Sequence, residues 1–564
     1  MLPNEDYEFE EKVPDPGHWT LNSLAMCKSV PDCEKPHADY FIKRAFAAAD
    51  LPLNMAAAKA RLLHDPMDKL EDYDDMFITM PKPSSVAIWR SNKAFAEQRL
   101  SGAHPNWLKR LSKEADPDVA TVDATLKKEF PFDLATVDAT LKLQFGTPAD
   151  IADAKANLLV TDYREVLKDL PRGTWAGRPK YMPVSVGLFV WRATLSADRG
   201  ELVPVAIAVL DHEDQWRTVT PFTHNLISAG PKQVRTAWAL AKLLLQVADA
   251  NVHEMWSHLY GAHFAMEPVA VATGRWLSGE HPVGQVLRPH LRVLLFNNDI
   301  GKQRLVNVDG FVDKLLASSL SGSLEVVRRA AAAYDFTRSS FREDLKARGV
   351  DDVTRLPHYP FRDDGLLLLD AIERFVDAHV DGAYPEETAK SQTAKIAEDG
   401  RLVRWWAALS NEKECKFRGV PDLSPASLRA VLAHVIFTSG PYHAAVNFPQ
   451  YDYFAFCPNQ PLAAYGPWPA ELPADPDEAL LAVLPPFAQA IGQVQAVDFL
   501  ANHRTERLGR YLAKTWTKPY QDAAAAQFLA DLDDVERKID IRNKTREWPY
   551  IFLKPSMVPN STSV

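Results

Sequence analysis

The chain has 564 residues, 46% hydrophobic and 24% charged, a balance that excludes disorder along most of its length. A net charge of −10 argues against general nucleic-acid binding, which needs a basic surface to displace counterions. Four cysteines with no CxxC pair exclude a disulfide scaffold and make a thiolate zinc site a poor reading. There is no run of about 18 apolar residues to cross a membrane. The opening MLPNEDYEFEEK is acidic and lacks the apolar core of a signal peptide, so a cytoplasmic location is expected.

In chain order, 1–74 reads as a helical or irregular extension. It holds two Ala-rich helix candidates, 42–49 and 54–63, with Pro52 between them. Next comes an internal repeat: VATVDATLKKEF at 119–130 recurs as LATVDATLKLQF at 134–145. Two copies are too few for a solenoid. They predict a helical hairpin with one amphipathic face, an insertion at about 112–146. That face suits a surface hairpin, or alternatively a partner- or membrane-docking arm. The β-branched runs of 181–222, joined by SADRG, predict an antiparallel hairpin. From Pro231 the pattern is helical, and 234–276 is the longest periodic apolar stretch. Ser424 reads as an N-cap with Pro425 at the first helical position. The fold class expected is mostly α, one large helical domain with a small antiparallel β element.

Two histidine clusters stand out. HEMWSHLYGAH holds His253, His258 and His263; PYHAAVNFPQY holds His443 and Asn447. A lone histidine on an apolar helix is commonly a bonded core residue. Several together are harder to bury, because each unpaired polar group costs about 1–3 kcal/mol, and one metal ion would satisfy them all. His443 and Asn447 are i,i+4 and share a helix face. His258 and His263 are i,i+5, about 140° apart on a regular helix, so binding one ion requires a π-type irregularity near Tyr260–Gly261. The zinc-peptidase motif HExxH fails by one residue, since His258 follows His253 at i,i+5.

The run ADANVHEMWSHLYGAHFAMEPVAVATGRWLSGEHPVGQVLRPHLRVLLFNNDIGKQRLVNVDG resembles the iron-binding core of the lipoxygenases. The two His, EP, AT-x-R, HP, PH-x-R and the closing N-x-x-G follow in order. HAAVNFPQY and the ending MVPNSTSV match the family's third His, its Asn and its terminus. Weaker matches, such as FAEQRLSGAHP and GLFVWRATL, extend the likeness over 75–564, which is taken as the catalytic domain. The resemblance implies metal ligation by His258, His263, His443, Asn447 and the terminal carboxylate of Val564; His253 is read as a non-ligand that either supports the ligands from behind or is purely structural. It implies one non-haem iron, with manganese as the alternative. Val ends the manganese-using branch, but the four residues between the first two histidines favour iron.

The activity implied is dioxygenation of a polyunsaturated fatty acid to a hydroperoxide, by hydrogen abstraction at a ferric hydroxide and O2 addition. No nicotinamide, flavin or haem is required. A catalytically silent lipid-binding protein is the alternative, and peripheral membrane contact is open. Carried-over pocket positions are Glu254, Gln450, Leu305, Leu500 and Gly301. The two leucines also suit plain helix core. Gly301 stands where R-specific members carry Gly, which implies an R product; a backbone requirement is its other reading. Gln460 replaces an inner arginine, so either the methyl end of the substrate enters first or another base such as Arg292 meets the carboxylate. The chain resembles minimal, bacterial-type members that lack an N-terminal β-barrel.

Overall fold

A computed structural model describes all residues except 1, 11–20, 22–23, 48, 63–66, 113, 115–116, 194–199, 212, 223–230, 388–389, 505 and 563–564. Among the described residues helices dominate, and the strands are few and antiparallel, as the sequence predicts. The N-terminal helices are α1 (Ala38–Ala47) and α2 (Asp50–Leu62). Pro52 was expected to separate them. It lies instead in the first turn of α2, where its missing N–H would have no intrahelical partner in any case. Helix α3 (Asn92–Ser101) starts at Ser91, whose side chain accepts the Ala94 N–H.

One sheet has the order β1 (Lys109–Arg110), β2 (Leu158–Asp162), β5 (Ser185–Ala193), β6 (Gly200–Leu210), β7 (Trp216–Val219), all antiparallel. Between β2 and β5 in the chain lie the one-turn helix α7 (Arg164–Leu167) and a small hairpin of β3 (Thr174–Trp175) and β4 (Arg178–Pro179). The expected 181–222 hairpin is β5–β6, although most of its SADRG link lies outside the described residues. Side chains alternate between faces. Phe189 and Trp191 enter the main core, whereas Val186, Leu188 and Val190 enter a second, smaller one. Both faces are covered, which explains the nearly continuous apolar run.

The duplicated segment covers the outer face. The copies form α4 (Val119–Glu129) and α5 (Leu134–Phe145), followed by α6 (Pro148–Ala156). Equivalent residues Val122 and Val137, and Leu126 and Leu141, are buried in the second core. The hairpin's apolar face is thus packed on the sheet. Equivalent carboxylates Asp123 and Asp138 both pair with Lys155 of α6, at 2.5 and 2.6 Å, and join the copies to the third helix.

The long apolar stretch is α8 (Pro231–Val252), a π-helix His253–Phe264 and α9 (Glu267–Trp276). Then come α10 (Pro282–Leu291) and α11 (Leu294–Arg304). Near the C-terminal end, the Ser424 side chain accepts the Ser427 N–H and starts the helix Pro425–Phe437, as expected. This runs into a second π segment, Thr438–Tyr442, and the short helix His443–Asn447. The N-terminal segment joins the main core: Tyr7 packs so closely on α9 that a Cβ at Gly274 would meet its ring at 2.2 Å. No described helix is long and apolar enough to cross a membrane.

Candidate metal centre

The i,i+5 spacing demanded a π-type irregularity, and the backbone supplies one over 12 residues. The Ala265 N–H bonds the Tyr260 carbonyl, five residues back, at 2.8 Å. This winding brings His258 and His263 together, with their Nε2 atoms 3.2 Å apart. His443 completes the group, its ring centroid 4.9 Å from that of His263 and 5.6 Å from that of His258. One nitrogen from each of the three rings lies within 4.8 Å of the others.

The rings are oriented by different partners. The His263 Nδ1–H donates to Asn298 Oδ1 at 3.0 Å, which leaves Nε2 with its lone pair free. Asn298 is held in turn, its Nδ2 donating to Glu267 Oε2 at 2.8 Å and to the His263 carbonyl at 3.2 Å. Glu267 is buried and also accepts from Lys302 and from the Cys27 N–H. His258 Nδ1 lies 3.4 Å from both Glu254 Oε2 and Gln450 Nε2. His443 is fully buried, and neither of its ring nitrogens has a hydrogen-bond partner among the described residues. Two such orphans cost about 1–3 kcal/mol each unless something binds them. His253 donates from Nε2 to the Val446 carbonyl at 2.7 Å and stacks beside His258, a structural place.

Burial keeps the imidazoles uncharged. It lowers the His258 pKa, and with the neighbouring rings it pushes His263 down to about 3 and His443 well below the usual range. Glu254 is also buried, but contact with His253 and His258 outweighs that and holds its carboxyl well below its usual value. Neutral imidazoles with inward lone pairs are the donor form that a transition metal takes. The residues present therefore fit a metal ion.

Asn447 and Gln450 are also fully buried here. The Asn447 Nδ2 donates to the Leu500 carbonyl at 2.8 Å, and Gln450 Nε2 donates to Asn447 Oδ1 at 3.1 Å. Val564 lies outside the described residues. The segment leading to it is firmly placed. His290 of α10 donates to the Asn560 carbonyl at 2.9 Å, and the Thr562 hydroxyl reaches the carbonyls of Ser439 and Ala262 at 3.1 and 3.4 Å. Thr562 thus touches both π segments.

An apolar cavity of about 90 Å³ opens beside the imidazoles, lined by Glu254, His258, His263, Gly301, Leu305 and Leu500 among others. Gln450 does not line it. A Cβ at Gly301 would meet nothing within 4 Å, and the residue has no positive φ, so the backbone does not require glycine there. The volume is below the roughly 300–1,000 Å³ of small-molecule sites, so a long ligand must displace the walls. Arg292 does not serve this cavity; it pairs with Glu506 at 2.7 Å and lines a different one. Gln460 donates to Asp249 at 2.7 Å, inside a buried network with Arg99, His104 and Tyr163. Asn298 and Glu267 are the site residues that sequence reasoning missed, although Glu267 belongs to the quoted EP landmark.

Comparison with known proteins identifies the family. A family model described as Lipoxygenase matches residues 54–550. The linoleate 9/13-lipoxygenase of Pseudomonas aeruginosa is 31% identical over 519 residues, covering 88% of this chain and 70% of its own. The allene oxide synthase-lipoxygenase protein of Plexaura homomalla is 30% identical over 65% of this chain, which spans only 34% of that longer protein. The crystal structure of coral 8R-lipoxygenase superposes with a TM-score of 0.81 at 25% identity, covering 99% of this chain and 79% of its own. With matches of this extent, the chain belongs to the lipoxygenase family, whose members are fatty-acid dioxygenases.

Proposed function

We propose that this chain oxygenates a polyunsaturated fatty acid bearing a cis,cis-1,4-pentadiene to an R hydroperoxide, with 75–564 as the catalytic unit and 1–74 as an extension. The observation that carries the reading is the orphaned His443, facing two further neutral imidazoles at the end of an apolar cavity. His258, His263 and His443, with Asn447 and the Val564 carboxylate, would hold one iron, whose bound chemistry is the one-electron oxidation that breaks the weak methylene C–H bond between two double bonds.

The chain's own residues do the rest. Leu305 and Leu500 grip the pentadiene and keep water from it, which protects a carbon radical from side reactions. The space at Gly301 leaves one end of that radical open to O2. The R assignment rests on this space and on the likeness to a protein named 8R-lipoxygenase.

The test is oxygen uptake and conjugated-diene formation with linoleate and arachidonate by metal-loaded protein, with chiral analysis of the product. Elemental analysis reports iron against manganese. The wild type is expected to give an R product, and Gly301→Ala to move oxygenation toward the S product. An inert metal-loaded protein would make the chain a silent lipid-binding member. An S product from the wild type would refute the stereochemical reading alone.

A further inference from the structure

A second and larger cavity, of about 450 Å³, meets a different part of the same π-helix. Trp256, Tyr260 and Gly261 line it, and it shares no lining residue with the histidine cavity. Trp107, Tyr334, Phe341 and Tyr442 add aromatic wall. Its size falls within the range of small-molecule sites.

Two polar groups in its lining lack protein partners, and one of them, Asn106 Oδ1, is a fully buried atom. Tyr260 is 7% exposed, and its hydroxyl has no hydrogen bond among the described residues. Asn106 Oδ1 is buried without a partner, while Nδ2 of the same side chain donates to Ser257 Oγ and to the Tyr442 hydroxyl at 3.1 and 3.0 Å. A native site leaves few such groups unpaired unless solvent or a ligand takes them.

The charges sort themselves. Of the lining carboxylates, Asp162 pairs with Arg164 and Asp344 with Arg348, at 2.8 and 2.7 Å. Asp335 accepts the backbone N–H of Arg338 at 3.0 Å. Lys109 and Arg338 line the cavity from exposed positions and have no side-chain partner among the described residues. The lining therefore presents two uncommitted cations, Lys109 and Arg338, against one carboxylate without a cationic partner among the described residues, Asp335, a net positive edge above an aromatic interior.

We propose that this cavity is a second binding site, and that it takes a long-chain carboxylate. The head group meets Lys109 and Arg338, where charge-assisted hydrogen bonds select an anion. The acyl chain lies along Trp107, Trp256 and Tyr334. The occupant also bears on both ligand-carrying segments, since Gly261 lies two residues before His263 and Tyr442 directly precedes His443. These segments touch here: a Cβ at Gly261 would lie 3.1 Å from the Tyr442 hydroxyl.

This inference does not depend on the oxygenation reading, because its probe cannot be oxidised at a diene. Palmitate is titrated calorimetrically into the full-length metal-loaded protein. Gly301→Phe, which fills the histidine cavity, is expected to retain one palmitate site. In that background, Lys109→Ala with Arg338→Ala should weaken binding at least tenfold, and Ala333→Trp, which fills the second cavity from an exposed position, should abolish it. Hexadecylamine should not bind this site. Circular dichroism checks that each variant is folded, and Ala333→Trp and the double alanine variant alter the site independently. Loss of all palmitate binding in Gly301→Phe overturns the proposal. So does residual binding indifferent to both sets of changes, or equal binding of the amine.

Discussion

At the scale of single residues, the centre depends on side chains that never face the ion. Asn298 fixes the His263 tautomer, and Glu267 fixes Asn298. Outer partners of this kind are worth about 10–100-fold in metal affinity or activity. Asn298→Leu should therefore lower metal affinity by that order, measured by competition with a chelator, while the protein stays folded; unchanged affinity would remove Asn298 from this role. A different residue sets an acid–base dependence. Burial, with the Asp50 carboxylate nearby, pushes Asp498 up to about 6. Between about pH 4 and 6 the folded protein then holds a proton that the unfolded chain has released, so this group lowers stability as pH rises through that window. Asp498→Asn should raise Tm above pH 6 and leave it unchanged below pH 4. A gain equal at both ends would sink the assignment. The histidines were legible because their spacing and neighbours are local in sequence. Asn298 was not, because its partner lies 35 residues away and nothing in its own neighbourhood shows it.

At the scale of elements, the π-helix was legible and its sibling was not. Two histidines at i,i+5 demand a change of winding, but Thr438–Tyr442 carries no comparable spacing, only Gly440 and Pro441 inside a helical run. The structure shows what Gly440 does: a Cβ there would come within 2.9 Å of the Pro559 carbonyl. The C-terminal segment lies directly on this backbone. Gly440→Ala must push the segment away or strain the π turn, at about 1–3 kcal/mol, the usual cost of overpacking. The expected outcome is lower metal content and faster trimming of the last residues by carboxypeptidase. Native content and native resistance would show that the segment is not seated on Gly440. The duplication was legible as two helices, but its purpose was not. A sequence reveals an apolar face without revealing which sheet covers it, and here the covering surface comes from strands after the repeats, β5 and β6.

For the whole molecule, residues near both ends of the chain enter the main core. Tyr7 and Phe9 share it with Phe552 and Val558. A metal bound only by the folded state stabilises it by RT ln(1 + [L]/Kd), about 2.7 kcal/mol at a hundredfold excess over Kd. Stripping the metal should lower Tm, and returning it should restore the value; an unchanged Tm would mean that the three imidazoles hold no ion with appreciable affinity. The overall helical class was legible from periodicity. The closeness of the histidine cavity was not, since its volume depends on how α11 and the helix Phe487–Ala501 meet.

The contacts of Thr562 carry a kinetic consequence. Its two partners lie 123 and 300 residues earlier in the chain. Loops of that length close late, after local helices have formed. The centre therefore matures as a last step, and the rate of metal capture during refolding should clock completion of the entire tertiary structure rather than the formation of any one helix.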